Sequence, residues 1–431
     1  MSLINQMIWE ESDEYRQTVA NHKVDGLAGL SGYLQERESC WVDGQSLDDF
    51  SKDLKNNLYK LWNRLASGSY FPPPVRRVEI PKSKGGGLRP LGIPTVSDRI
   101  AQMVVRQIIE PKLEPIFDSD SFGYRPGRSA HQAVDLCRQR CWKRDWVLDL
   151  DIKGFFDSID HHLLLKALQS HIQESWVMLY LRRWLEAPVQ LPSGELQVRT
   201  CGTPQGGVIS PLLANLFLHY AFDTWMRRNY PDIQFERYAD DVICHCSSQH
   251  DAQALKKSLE ARFSACHLTL NPDKTHVVYC RDSNRRGPFE KIQFEFLGFA
   301  FRPRCAKNRW GRLFTTFAPA ASPLSLKKMR DRIRGWRLRL RHHTHLPLDE
   351  IARMLNPVLR GWWQYYGRFY PTEMWNMLFR YFDERLGSWL RQKHKHLRGR
   401  RGRSLRLLNK IAQQNPQLFV HWQILGHATV G

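Results

Sequence analysis

The stretch FERYADDVIC, residues 235–244, sets two adjacent carboxylates, Asp240 and Asp241, between Tyr238 and the apolar run Val242-Ile243-Cys244. Neighbouring ionised acids repel each other, and burying either one is costly without a partner. The run that follows reads as a buried strand, so the pair falls at a strand–turn–strand junction. Two readings fit that junction: a polar hairpin turn, or a divalent-metal site carried on the turn.

The best third acid lies upstream, in VLDLDIKGFFDSID (147–160). Asp151 follows the apolar strand Trp146-Val147-Leu148, where a neighbouring strand can bring it to the FERYADD turn. Asp149 points the same way, because side chains two apart share a face of a strand. Three such acids converging need a cation. Hard oxygen donors suit Mg²⁺, which keeps water and substrate phosphates as its other ligands. Two such ions, about 3.5–4 Å apart, activate an attacking hydroxyl and stabilise a leaving pyrophosphate.

Three other segments carry phosphate and nucleotide chemistry. Residues 76–93 read as a β-hairpin with Lys82, Lys84 and Arg89 around a glycine-rich turn, cations suited to triphosphate oxygens. In Gly202-Thr203-Pro204-Gln205-Gly206-Gly207 the glycines let backbone approach a ligand closely, with Gln205 as the polar group. Phe155 and Phe156 follow the Asp151 strand end, where a ring can pack under a sugar.

Composition narrows the class of partner. The chain has 431 residues and a formal net charge of +21, with 42% hydrophobic residues, enough for real cores. All of the excess charge lies in residues 302–431, which hold 27 Lys and Arg against 6 Asp and Glu. Interleaved with Trp, Tyr and Phe, that excess points to a nucleic acid. No apolar run reaches the ~18 residues of a membrane span, and the acidic start lacks a signal-peptide core, which gives the expectation of a cytoplasmic protein with no membrane partner. Nine cysteines at irregular spacing argue against a disulfide framework. Cys137 and Cys141 lie four apart on a helical pattern and Cys244 and Cys246 alternate on a strand; no pair completes either at zinc-ligand spacing, so they read as reduced thiols.

In order along the chain, VRRVEIPKSKGGGLRPLGIPTVSDRIAQ, FGYRPGRSAHQAV, LDLDIKGFFDSID, GTPQGGVISPLLANLFL, RYADD, NPDKT and FEFLGF resemble the successive polymerase blocks of reverse transcriptases encoded by group II introns. LNPVLRGWWQYYGRF (355–369) then resembles the maturase thumb region of that family. The resemblance implies a right-hand polymerase of α/β (α+β) class, with fingers and palm on a mixed, mainly antiparallel sheet and an all-helical thumb. It implies that Asp151 and Asp240 bind two Mg²⁺ ions, Mn²⁺ being a substitute, with Asp241 beside them and the Ile152 carbonyl as a further ligand. Phe156 takes the position of the steric gate against a ribose 2′-hydroxyl. Lys82 and Arg89 contact the incoming triphosphate, Gln205 lines the nucleotide pocket, and Lys274 stands where a lysine approaches the leaving pyrophosphate as general acid. Phe296-Leu297-Gly298 matches the primer-gripping turn.

The implied partners are dNTPs, an RNA template with a DNA primer, the structured intron RNA and target DNA, acting as monomer or dimer. The implied activity is RNA-directed DNA polymerisation with maturase assistance to splicing and mobility. The alternatives are an RNA-binding maturase with a vestigial polymerase, which the three intact acids oppose, and a free-standing relative adopted by the host for DNA repair or phage defence. The last residues, PQLFVHWQILGHATVG, hold no Cys/His endonuclease block, giving the expectation of no target-strand cleavage.

The expected organisation is an N-terminal extension (1–45), fingers (46–145), palm (146–305) with a helical insertion (161–200), a linker (306–323) and a helical thumb (324–431). In the thumb Leu326, Met329, Ile333, Trp336 and Leu340 follow a helical stripe. Most thumb aromatics are expected in its core, with Tyr365, Tyr366 and Arg368 as candidate RNA contacts and the patch KHKHLRGRRGR (393–403) as a phosphate-facing surface.

Overall fold

The structure, a computed structural model, describes residues 42–81 and 87–424. The described elements run α1 (Leu47–Lys52), α2 (Leu54–Ala66), β1 (Val75–Pro81), β2 (Leu88–Ile93), α3 (Val96–Leu113), α4 (Ala130–Cys141), β3 (Trp146–Leu150), α5 (Phe155–Ser158), α6 (His161–Gln169) and α7 (Ser175–Glu186). There follow β4 (Val189–Gln190), β5 (Leu196–Gln197), α8 (Ser210–Leu218), α9 (Thr224–Asn229), β6 (Gln234–Tyr238), β7 (Asp241–Cys246), α10 (Gln249–Ala265), β8 (His276–Tyr279), β9 (Phe294–Phe296), β10 (Phe299–Lys307) and β11 (Leu313–Ala321). The helices α11 (Pro323–His342), α12 (Leu348–Tyr366), α13 (Pro371–Met374), α14 (Arg380–Lys393), α15 (Arg401–Gln414) and α16 (Val420–Ile424) follow among the described residues. None of the described helices is long and apolar enough to cross a membrane.

The described residues form two compact units: those up to Ile116 together with Phe156–Phe217, and Phe117–Phe155 together with the described residues from Leu218 onward. In the first, the sheet order is β2-β1-β4-β5, antiparallel except for the β1–β4 pair. Helix α3 starts at Thr95, whose hydroxyl accepts from the Asp98 N–H and satisfies one donor of the first turn. Asp98 is buried and accepts from Trp184 Nε1 at 2.6 Å, the Tyr70 hydroxyl at 3.0 Å and Gln102 Nε2 at 2.9 Å. Burial pushes its carboxyl up to about 6 against the pull of those hydrogen bonds. Gln102 in turn accepts from the Val208 N–H at 2.9 Å, so one polar chain runs from the start of α3 to the loop that opens α8.

In the second unit a four-stranded antiparallel sheet, order β6-β7-β3-β8, is covered by α10 on β3, β7 and β8 and by α4 on β6 and β7. β3 and β7 are short, largely apolar buried runs, while β6 buries the charged pair Glu236 and Arg237 in ion pairs. Val147, Ile243 and Val278 pack with Ala133, Val134, Cys137 and Cys141 of α4 and with Cys280 in one core. A second antiparallel sheet, β11-β10-β9, follows. Here the structure departs from the expected linker: residues 313–321 form β11, paired with β10 from Phe299↔Ala321 to Lys307↔Leu313. Pro319 and the alanines of FAPAAS weaken the strand signal, yet nine paired residues and the burial of Phe317 override it.

The last helices share one core, in which Leu326, Met329 and Ile333 of α11 meet Ile351, Leu355 and Leu359 of α12 and Phe382 and Leu386 of α14. Trp336 stacks on Trp362, ring centroids 5.6 Å apart.

Candidate functional site

The hairpin β6–β7 pairs Gln234↔His245 through Tyr238↔Asp241, leaving Ala239 and Asp240 as a two-residue turn. Ala239 sits at φ 55, the left-handed region that a primed hairpin turn demands and normally fills with glycine. Strand β3 pairs with β7 from Trp146↔Cys246 to Leu150↔Val242. Asp151 directly follows Leu150 and Asp241 directly precedes Val242, the last pair of that register. Asp151, Asp240 and Asp241 are thus brought to one end of adjacent strands.

The turn is held from behind. Arg237, fully buried, makes two hydrogen bonds to the equally buried Asp223, at 2.7 and 2.6 Å, and donates to the Ala239 carbonyl at 3.2 Å. Residues 120–122 run alongside β6, with Phe122 N–H donating to the Arg237 carbonyl at 2.8 Å and Arg237 N–H to the Asp120 carbonyl at 2.9 Å. Gly123 then lies directly against the turn: a Cβ there would stand 2.4 Å from the Ala239 nitrogen. The segment is itself anchored by Arg140 and Arg227, which both bind the Asp120 carboxylate.

On the other flank, Asn271 Nδ2 donates to Asp151 Oδ2 at 3.0 Å and Lys274 Nζ lies 3.2 and 3.3 Å from its two oxygens. The Asn271 N–H donates to the Asp151 carbonyl and the Lys153 N–H to the Thr269 carbonyl. These bonds flank Ile152 and use neither its N–H nor its carbonyl. The donor set is entirely hard oxygen, carboxylates with a carbonyl between, which fits a divalent cation of the Mg²⁺ type and not a soft metal.

Within the first unit, the 202–207 loop packs on β2. Gly92 N–H donates to the Gln205 carbonyl at 2.8 Å, Arg89 Nε donates to Gln205 Oε1 at 2.6 Å, and a Cβ on Gly206 would stand 2.6 Å from the Gly92 oxygen. The Phe156 carbonyl accepts from Thr203 N–H at 2.7 Å, and its ring is buried. Phe156, Gln205 and Arg89 are therefore tied into one local framework. Lys82 and Lys84 lie outside the described residues.

Two of the three candidate RNA contacts in the thumb have another job. The Tyr365 hydroxyl donates to the Leu297 carbonyl at 3.0 Å, and its ring packs on His131 and Phe299. Tyr366 bonds Ser325 and packs on Phe299. Both rings are half-buried against the 296–299 turn because they close the gap between α12 and β10; Arg368 remains exposed. Arg398, Arg400, Arg401 and Arg403 are exposed as expected, Arg401 being paired with Glu384 at 2.7 Å. Gly123, Asp223, Arg237 and Asn271 escaped the sequence reading. A glycine inside FGYRPGR and an acid interrupting the apolar LFLHYAFDTW were the available signals.

Residues 80–301 match the family model for reverse transcriptase (RNA-dependent DNA polymerase), and residues 326–408 match that for the group II intron maturase-specific domain. Protein YkfC of Escherichia coli K12 is 32% identical over 279 residues, 56% of this chain and 72% of that protein. The group II intron-encoded protein LtrA of Lactococcus lactis is 39% identical over 172 residues, 40% of this chain and 28% of LtrA. An uncharacterised 91 kDa protein in the cob intron of Schizosaccharomyces pombe is 35% identical over 201 residues, 47% of this chain and 23% of that protein. The first model spans just over half of the chain and contains the strand-end acids, their supporting lysine and the glycine-rich loop. The chain belongs to the group II intron reverse transcriptases and maturases, RNA-directed DNA polymerases that depend on a divalent metal and bind RNA.

Proposed function

We propose that Asp151, Asp240 and Asp241 hold two Mg²⁺ ions and that the chain joins dNTPs to a DNA primer on an RNA template. The observation that supports this most is the register ending at Leu150↔Val242, which leaves Asp151 and Asp241 next to its last pair and beside the Asp240 turn. When bound, such ions supply activation of the primer 3′-hydroxyl and charge for the leaving pyrophosphate. The remaining work falls to the chain. Asp151 and Asp240 present the carboxylates, with Asp241 beside them and the Ile152 carbonyl as a further donor. Lys274, ion-paired with Asp151, is the proton donor to the leaving group. Arg89 holds triphosphate oxygens while Gln205 fixes its guanidinium, and Phe156 packs under the sugar as the gate against ribose. The basic helical region binds the parent intron RNA through phosphate and shape contacts and so assists its splicing.

Asp240→Asn tests this reading. Primer extension on an RNA template is abolished while RNA affinity stays near that of the unaltered chain. Retained extension, or an equal loss of both, overturns the metal-site assignment.

A further inference from the structure

Behind the catalytic hairpin, three ligand-type side chains from two elements meet in the dry core. The Sγ atoms of Cys137 and Cys141 and a ring nitrogen of His245 all lie within 4.8 Å of one another, and all three residues are buried. The cysteines stand one turn apart on α4, so their side chains share a face. His245 comes from β7, four residues and ~13 Å of strand beyond Asp241. A third thiol, Cys280, follows β8 in the same core and is a hydrogen-bonding neighbour of Cys141.

The histidine is already oriented as a metal ligand would be. Its Nε2 lies 2.6 Å from Glu236 Oε2, which makes that nitrogen the donor, and Nδ1 offers a lone pair whenever the ring is neutral. Nδ1 is buried, and the Cys141 thiol is the group the ring meets on its other side. Glu236 is fixed in turn by Arg140 at 2.6 Å. A carboxylate behind one ring nitrogen with the other facing soft ligands is the arrangement that orients histidine on zinc.

We propose that Cys137, Cys141 and His245, with Cys280 as the fourth ligand, form a structural Zn²⁺ site that fastens α4 to the back of the catalytic sheet. Cys₃His is an established closed zinc set. With Zn–S bonds of ~2.3 Å, tetrahedral donors sit ~3.8 Å apart, so a contraction of at most about 1 Å brings Cys137, Cys141 and His245 to that spacing, and the Cys280 thiol moves in to close the cage. Binding releases the thiol protons to solvent as zinc–thiolate bonds form, with no change of oxidation state. The ion's two charges balance two of the three thiolates, so the closed cluster carries a single net negative charge, while Glu236 and Arg140 compensate each other. Oxygen-rich Asp151, Asp240 and Asp241 attract a harder ion, so the two sites select different metals.

The test uses the full chain, purified without chelator and analysed for metal. Equimolar zinc is expected, lost in a Cys137→Ser/Cys141→Ser variant and kept in Asp240→Asn and in Cys266→Ser, a cysteine outside the cluster. Because the double variant can fold poorly, the unaltered chain reconstituted with Co²⁺ gives an independent readout. Intense thiolate-to-cobalt charge-transfer absorption supports the site, and its persistence in Asp240→Asn separates it from the catalytic acids. A folded chain that takes up neither equimolar Zn²⁺ nor thiolate-bound Co²⁺ overturns the proposal. So does zinc that disappears with Asp240.

Discussion

Gly123→Ala is a one-methyl perturbation aimed at the turn that carries Asp240, the proposed metal-binding acid, from a neighbouring glycine. Gly123 is not in the left-handed region, so alanine meets no backbone penalty there and the effect is purely steric. The new Cβ would stand 2.4 Å from the Ala239 nitrogen, 3.0 Å from the Tyr238 carbonyl carbon and 3.2 Å from Tyr238 Cδ1, where ordinary contact begins at 3.4 Å. Two of those three atoms are backbone, so no side chain can swing away. The segment 120–123 and the turn must separate by about 1 Å, and a displacement of that size at a reacting group costs ~10²-fold in rate, about 2.7 kcal/mol of barrier. Overpacking also lowers the thermal midpoint by a few degrees without unfolding the chain. The assay is single-turnover incorporation of one dNTP, run beside an RNA-binding titration and a thermal melt. Slowed incorporation is expected with RNA affinity unchanged. Incorporation at the unaltered rate would refute the claim that residues 120–123 fix the position of Asp240.

Two further outcomes follow from charge. Removing Arg398, Arg400, Arg401 and Arg403 together weakens RNA binding and lowers its log–log salt slope by about 3, because each phosphate contact contributes roughly one and Arg401 is partly spent on Glu384; an unchanged slope in a salt titration removes that surface from the interface. Asp98 has a folded pKa of about 6, raised chiefly by burial above the ordinary 3.8, so its contribution to stability is fullest below the unfolded value and is lost as pH rises through 6. The gap of about two pH units corresponds to ~3 kcal/mol. Asp98→Asn removes that titration, so its stability relative to the unaltered chain, measured by denaturant unfolding, should rise between about pH 4 and pH 7 and then level off; a difference independent of pH contradicts the assignment.

What the sequence disclosed, and what it hid, divides along range. The FERYADDVIC hairpin, the strand before Asp151 and the helical stripe from Leu326 were legible because period and turn chemistry act over a few residues. The support of the turn was not. Gly123 meets Ala239 across 116 positions, and Asp223 meets Arg237 only because an apolar helix and β6 fold back on each other. The cysteines hid for the same reason: Cys137 and Cys141, His245 and Cys280 come from three separate segments, so no spacing rule joins them. For Tyr365 and Tyr366, rings among cations suggest stacking on bases, and the bonds they make to the neighbouring sheet and to Ser325 are visible only in the fold. The 306–323 stretch read as a linker because Pro and Ala carry little strand preference, although pairing with β10 supplies what propensity lacks.

The tyrosines that end α12 also bear on how such proteins recombine. Tyr366 leaves so little room at residue 298 that a Cβ would sit 3.1 Å from its hydroxyl, and Gly298 has φ 80 besides. Leu297, at φ 50, offers the carbonyl that Tyr365 needs, and His131 completes the face on which that ring rests. The helical region is therefore not freely interchangeable between relatives. A crossover placed at residue 322 would separate the tyrosines from the partners they require. A chimaera keeps its seam only if residues 297–299 and His131 travel with α12, so three short stretches far apart in the gene behave as one heritable block.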